Sequence, residues 1–162
     1  MIEAQYYINI QGDEPMISSE AMDAVAKAIR TCKDPMVIAS NAFVPINRSR
    51  DVVDSNIVKV ILAMDNTALA YSRQPIPYPK GGECQHLRQL GLYTFSRKGL
   101  QIFAKHAPGR MERTEEVEMF RLLEHGYKVL MVEVEDYSIP VDTEADLERV
   151  RALMANPIVG TK

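Results

Sequence analysis

The 162-residue chain has no tryptophan, two cysteines and three histidines, and each shortage narrows what it can be. Cys32 and Cys84 lie far apart, in no CxxC pattern. That removes the disulfide-scaffold class and suits a reducing compartment with two thiols that share no task. Long apolar runs are also missing: Val58 to Met64 is broken by Lys59, far short of the roughly 20 residues a membrane span needs. The opening MIEAQYYINIQ lacks a basic flank, an apolar stretch and a small-residue cleavage site, so it does not read as a signal peptide, and a cytoplasmic location is expected. No charge of one sign dominates. Lys+Arg 19 against Asp+Glu 22 leaves a net charge of -3, unclustered, which gives no electrostatic footprint for nucleic acid.

What is present is the composition of one globular domain, 46% hydrophobic and 25% charged, spanning residues 1–162. A chain of this size buries ~70% of its unfolded surface. The β-branched run Tyr6 to Gln11 reads as a strand closed by Gly12 and Pro15. Ser18 or Ser19 can cap a helix with Met22, Val25, Ala26 and Ile29 on one face. Met36 to Val44 predicts a strand stopped by Pro45, Arg48 to Asn56 a surface loop or short helix, and Val58 to Ser72 a hairpin turning at Asp65-Asn66-Thr67. The prolines of Pro75 to Gly82 demand a surface loop. Beyond it come a strand over Leu90 to Phe95 and a short helix over Lys98 to Lys105. A longer helix over Glu112 to His125 stops at Gly126, and a strand covers Val129 to Val134. Asp142 or Thr143 caps a final helix, with Thr143 and Asp146 in capping-box spacing and Leu147, Val150 and Met154 inward. This alternation predicts an α/β fold with a parallel sheet and an inserted antiparallel section at about residues 57–95.

In open α/β sheets ligands bind beyond the carboxyl ends of the strands. Two such places carry carboxylates: Gln11-Gly12-Asp13-Glu14-Pro15, and Val141-Asp142-Thr143. Asp13 and Asp142 form the natural pair for Mg²⁺, which takes one or two carboxylates plus phosphate oxygens. The ordinary alternative is a turn former at Asp13 and a helix cap at Asp142.

Several motifs occur in one order: QGDEP at 11–15, NIVKV at 56–60, AYSRQP at 70–75, Gly91-Leu92-Tyr93, Met111-Glu112 with Glu115 and Glu118, and VDTEADLERV at 141–150. Together they resemble the CMP-Kdo synthetases, the cytidylyltransferases that activate 3-deoxy-manno-octulosonate (Kdo), over essentially the whole chain. The resemblance implies a Rossmann-like nucleotidyltransferase fold of the nucleotide-diphospho-sugar transferase type. It also implies reaction of CTP with Kdo or a related 2-keto sugar acid to give CMP-sugar and pyrophosphate. It assigns Mg²⁺ to Asp13 and Asp142, the sugar acid to Gln11, Arg73, Tyr93 and Glu118, and a homodimer to the inserted section. Chemically, the planar fork of Arg73 suits a carboxylate. The alternatives are a surface arginine at Arg73 and a core aromatic at Tyr93.

Two positions depart from the family's pattern. Gln89 stands where His is common, and Met119 follows Glu118 where Gln is common. Altered sugar contacts are therefore expected, because Met119 cannot donate a hydrogen bond. Cys84 and His86 make a C-x-H pair, but two potential ligands do not make a metal site. His86, His106 and His125 are expected to be structural or surface residues. In the family a strand, a Gly-containing basic loop that cradles CTP and further strands precede QGDEP, which here begins at residue 11. The resemblance thus implies a chain lacking those N-terminal strands and that loop, inactive in transfer by itself. The rival readings are a non-catalytic remnant that dimerises or binds a sugar acid, and a metal-dependent hydrolase with Glu14 as base.

Overall fold

The computed structural model describes residues 3–135, 138–141 and 143–155. Strand β1 (Tyr6–Ile10) leads through α1 (Ser19–Thr31) to β2 (Val37–Pro45). The short α2 (Ser49–Val53) precedes the hairpin of β3 (Lys59–Leu62) and β4 (Ala68–Ser72). The long β5 (Leu87–Ser96) runs straight into α3 (Arg97–Lys105). Two short helices, α4 (Arg110–Glu115) and α5 (Phe120–Glu124), then β6 (Lys128–Glu133) and α6 (Glu144–Ala155) complete the described elements.

Local chemistry accounts for the ends of these elements. Ser18 Oγ accepts the Ala21 N–H at 3.1 Å to start α1, and Ser96 Oγ accepts the Gly99 N–H at 3.0 Å to start α3. At α6 the expected capping box is reciprocal: Asp146 N–H donates to Thr143 Oγ1 at 3.2 Å, and Thr143 N–H donates to the Asp146 carboxylate at 3.0 Å. Asp142, the alternative cap, lies outside the described residues. Along α6 Val150 is buried as expected, but Met154 is 61% exposed, so the inward face is shorter than the periodicity suggested.

The sheet has six strands in the order β4-β3-β5-β2-β6, with β1 joined to β5. Among the described strands only β2 and β6 pair in parallel. The sheet is therefore mixed, and the parallel expectation needs correcting. Strands β1, β2 and β6 do run the same way, because β1 is antiparallel to β5 and β5 antiparallel to β2. The antiparallel section is no appendage: β5 lies inside the sheet between strands that the sequence alternation would have paired directly.

Strand β5 also fixes the layering, since its side chains alternate faces. Leu90 and Leu92 pack with Ala21 and Val25 of α1 on one face. Tyr93 and Phe95 pack with Val117, Phe120 and Leu122 on the other. Tyr71 anchors the second layer, its ring edge-on to Phe120 at 5.7 Å between centroids. Gly99 is required by packing: a Cβ there would lie 2.1 Å from the Ile38 carbonyl oxygen.

The single helix expected over Glu112 to His125 is two helices. Glu116 ends α4 in the left-handed conformation, φ 53 and ψ 45, which costs a non-glycine residue about 1 kcal/mol or more. Each half is then secured by the other. The Glu124 carboxylate accepts the Met111 and Glu112 N–H groups at the start of α4, at 2.9 and 3.2 Å, and these bonds hold its pKa below the ordinary glutamate value. Glu112 is buried against Arg121, whose guanidinium also lies 4.0 Å from the centre of the Phe103 ring.

Candidate active site

One edge of β5 changes partner along its length. Lys59 and Val60 of β3 pair with Arg88 and Leu87, while β1 pairs with Leu92 to Ser96. Between them the edge is taken by single backbone bonds, Gln89 N–H to the Val58 carbonyl at 2.9 Å and Gln11 N–H to the Gly91 carbonyl at 3.2 Å. Where two strands diverge from a common neighbour, the sheet opens. The opening is a cleft of about 530 Å³, and its walls include Gln11, Asp13, Asn56, Arg73, Arg88, Gln89, Tyr93, Glu116, Glu118 and Pro140.

Five of the six expected site residues thus come to one place: Gln11, Asp13, Arg73, Tyr93 and Glu118. The sixth, Asp142, lies outside the described residues. Its neighbour Val141 donates its N–H to the Asp13 carbonyl at 2.8 Å, so the chain following β6 meets the exit of β1. Asp13 itself is exposed. No cluster of three or more His, Cys, Asp or Glu ligands occurs among the described residues. One exposed carboxylate in a cleft suits Mg²⁺, which completes its shell with phosphate oxygens and water, and does not suit a structural zinc site.

Arg73 is fixed before any ligand arrives. Its Nε donates to the Glu115 carbonyl at 2.7 Å and its Nη1 to the Ser55 carbonyl at 3.0 Å. Its main chain is pinned as well, the N–H to the Glu115 carboxylate at 2.8 Å and the carbonyl to Lys59 Nζ at 2.5 Å. Lys59 has no exposed surface. Its ammonium also donates to the carbonyls of Asp54 at 2.8 Å and Ile57 at 2.6 Å, which uses all three protons. Burial lowers its pKa from the ordinary lysine value. Lys59 therefore ties the wall at residues 54–57 to Arg73.

The opposite wall is differently supplied. Glu14 is buried; one carboxylate oxygen accepts the Gly91 N–H at 2.9 Å and lies 3.9 Å from Arg88, while the other has no hydrogen-bond partner. Gln11 folds its side chain over Gly91, where a Cβ would lie 2.9 Å from its Oε1. Tyr93 is 3% exposed and packed in the core, the alternative given for it, and it also lines the cleft. Its hydroxyl accepts from Gln89 Nε2 at 2.7 Å, and burial raises its pKa far above the ordinary tyrosine value.

The departures at Gln89 and Met119 separate here. Gln89 lines the cleft, but Met119 is 0% exposed in the core cluster and is absent from the cleft wall. Met119 therefore packs within the core rather than along the cleft wall. Sequence reasoning missed Arg88 and the roles of Lys59 and Glu115. A lysine inside an otherwise apolar strand was the available signal for Lys59; nothing local marked Arg88.

Residues 1–134 match the Cytidylyltransferase family. The chain belongs to that family. It is 36% identical over 158 residues to 3-deoxy-manno-octulosonate cytidylyltransferase of Solibacter usitatus, covering 96% of this chain and 62% of the relative. The Escherichia coli protein of the same name is 35% identical over 158 residues, covering 97% and 63%. A solved structure of CMP:2-keto-3-deoxy-manno-octonic acid synthetase complexed with CTP superposes with a TM-score of 0.85 at 35% identity, over 95% of this chain and 63% of that one. The inositol-1-phosphate CTP transferase of T. maritima, at 16% identity and a TM-score of 0.60, shares the fold. The chain thus spans somewhat under two thirds of the length of these cytidylyltransferase relatives. No described helix is long and apolar enough to cross a membrane.

Proposed function

We propose that this cytidylyltransferase-family chain serves CTP-dependent cytidylyl transfer to Kdo or a closely related 3-deoxy-2-keto sugar acid, releasing pyrophosphate. The observation that carries the reading is the fixed Arg73 facing a carboxylate-bearing wall across one cleft. Arg73 keeps its Nη2 donors for the sugar carboxylate, and its held geometry removes most of the ordering cost of binding. Gln11, Tyr93 and Glu118 border the volume left for the sugar's hydroxyls. Asp13 and Asp142 would hold Mg²⁺, which when bound neutralises charge on the phosphate oxygens and aligns them for transfer. The protein's own part is positioning: Arg73 sets the acid, and the acidic wall keeps the attacking hydroxyl and the metal side together.

The same reading assigns a homodimer to the section 57–95, where Met64 and Leu69 of the hairpin expose apolar surface. Location follows from the substrates rather than from any segment, and a cytoplasmic site where CTP is made is proposed. The test is pyrophosphate release with CTP, Mg²⁺ and Kdo, by the chain alone and after addition of a relative's amino-terminal third as a separate polypeptide. Release in either arm that requires Kdo supports the transfer. Kdo binding without release in both arms would favour a sugar-acid-binding remnant, and neither binding nor release would overturn the reading.

A further inference from the structure

The loop between β4 and β5 carries a second constellation, outside the cleft. Cys84 Sγ lies 3.5 Å from His86 Nε2, and His86 Nδ1 lies 2.8 Å from the Ile76 carbonyl oxygen. A carbonyl oxygen can only accept, so Nδ1 carries the ring proton. In the neutral imidazole Nε2 is then the bare nitrogen, and it faces the thiol. The thiol has one other acceptor in reach, the Pro77 carbonyl at 3.9 Å, but only the imidazole can take its proton away.

This arrangement is a nucleophile, a base and a third group that orients the base, the pattern of activated thiols. The segment is held in place against Ile46. Ile46 N–H donates to the His86 carbonyl at 2.8 Å, and Gln85 Nε2 donates to the Ile46 carbonyl at 2.8 Å. Cys84 and His86 are both partly exposed, so a small reagent can reach the sulfur. Cys32 has comparable partial exposure but no imidazole beside it among the described contacts, which makes it an internal control.

We propose that Cys84 is a modification site, a thiol activated by His86 for exchange with small disulfides of the glutathione class. The Cys84 S–H proton passes to His86 Nε2. The thiolate attacks one sulfur of the disulfide RSSR, a new S–S bond forms and the old one breaks. The departing thiolate takes the proton from the imidazolium and leaves as RSH. Cys84 and one R group are then joined as a mixed disulfide; Cys84 is oxidised and the departing sulfur reduced. The adduct would sit on the loop whose two ends carry Arg73 and Arg88 of the cleft.

The size of the effect is bounded. A free thiol of ordinary pKa is ~3% thiolate at pH 7, so complete transfer to His86 raises the reactive fraction at most about 30-fold. Intrinsic nucleophilicity falls as the thiolate is favoured, with a Brønsted slope of about 0.4–0.5, which offsets most of that and leaves about threefold. The test treats the intact reduced chain with oxidised glutathione at pH 7 and maps adducts by mass spectrometry over time. Cys84 is expected to react about threefold faster than Cys32, and His86→Gln to bring it to the Cys32 rate with Cys32 unchanged. Equal rates at the two thiols of the native protein would overturn the proposal, as would a Cys84 rate unaffected by His86→Gln in a variant whose circular dichroism is native. Should the variant unfold, the ratio in the native protein decides alone. Sugar-acid binding does not enter the readout, so either result leaves the cleft's function to be judged separately.

Discussion

The two walls of the cleft are built on opposite principles. On the Arg73 side the protein satisfies the polar groups it brings: Lys59 uses three donors on three carbonyls, and Arg73 rests on the carbonyls of Glu115 and Ser55. On the Gln11 to Glu14 side, Asp13 is exposed and one oxygen of buried Glu14 has no partner. Buried acceptors without partners cost about 1–3 kcal/mol each. A wall with spare acceptors is suited to cations and hydroxyl donors, and a wall with a fixed guanidinium to an anion. One cleft thus offers complementary ends to a hydroxylated acid and its metal-bound partner.

The largest change should come from removing the cation that holds the first wall. Lys59→Met leaves three carbonyls without their donor, and stability should fall by about 3 kcal/mol or more in denaturant unfolding. A loss below ~1 kcal/mol would mean that solvent replaces Lys59 and that the wall does not depend on it. On the second wall the asymmetry predicts the reverse pattern. Asp13→Asn removes a charge from an exposed position, so stability should stay within about 0.5 kcal/mol. Pyrophosphate release in the active assembly should nonetheless slow by ~100-fold, as loss of a charge-stabilising group typically does. Near-normal turnover at saturating Mg²⁺ would remove Asp13 from the metal.

A smaller effect should follow from Gly91→Ala. The new Cβ meets the flexible end of Gln11 rather than backbone, so the chain folds while Gln11 is pushed from its place; Kdo affinity should fall about tenfold by calorimetry. An unchanged affinity would show that Gln11 does not touch the sugar. Outside the cleft, Asp65 sets the lower limit. Its carboxylate accepts from Thr67 and from Lys128, which hold its pKa at about 2, below the ordinary 3.8. A depressed carboxylate stabilises the fold above its unfolded pKa and loses that contribution as pH falls through the folded one. Asp65→Asn should therefore leave stability nearly level across pH 5–8 and flatten the acid loss only between about pH 4 and 2. An equal change at pH 7 and pH 2 would contradict the assignment.

Much of this molecule was legible in order and type of element. The strand ending at Gln11, the cap at Ser18, the hairpin at Asn66 and the capping box at Thr143 follow from local signals, because turns and caps depend on residues a few positions apart. Strand β5 was found, but its place between β1 and β2 was not, since pairing across dozens of residues leaves no periodic trace. The break at Glu116 was hidden for a related reason: helical spacing runs through it, and only tertiary contacts sustain a left-handed glutamate. Of the site, the residue types at Gln11, Asp13, Arg73, Tyr93 and Glu118 could be named from the order of motifs. That Met119 is core while Gln89 is cleft required the fold, because burial at a turn before α5 and at a position within β5 is set by the elements packed around them.

The central claim is that fixed Arg73 recognises the carboxylate of a 2-keto sugar acid. Calorimetric titration of the intact chain with Kdo and with its uncharged methyl ester, repeated for Arg73→Lys, tests it most directly. The account predicts that the chain binds Kdo at least tenfold more tightly than the ester, and that Arg73→Lys removes most of that preference because an ammonium cannot rest on two carbonyls and still present a planar fork. Equal affinity for acid and ester, or an undiminished preference in Arg73→Lys, would contradict it.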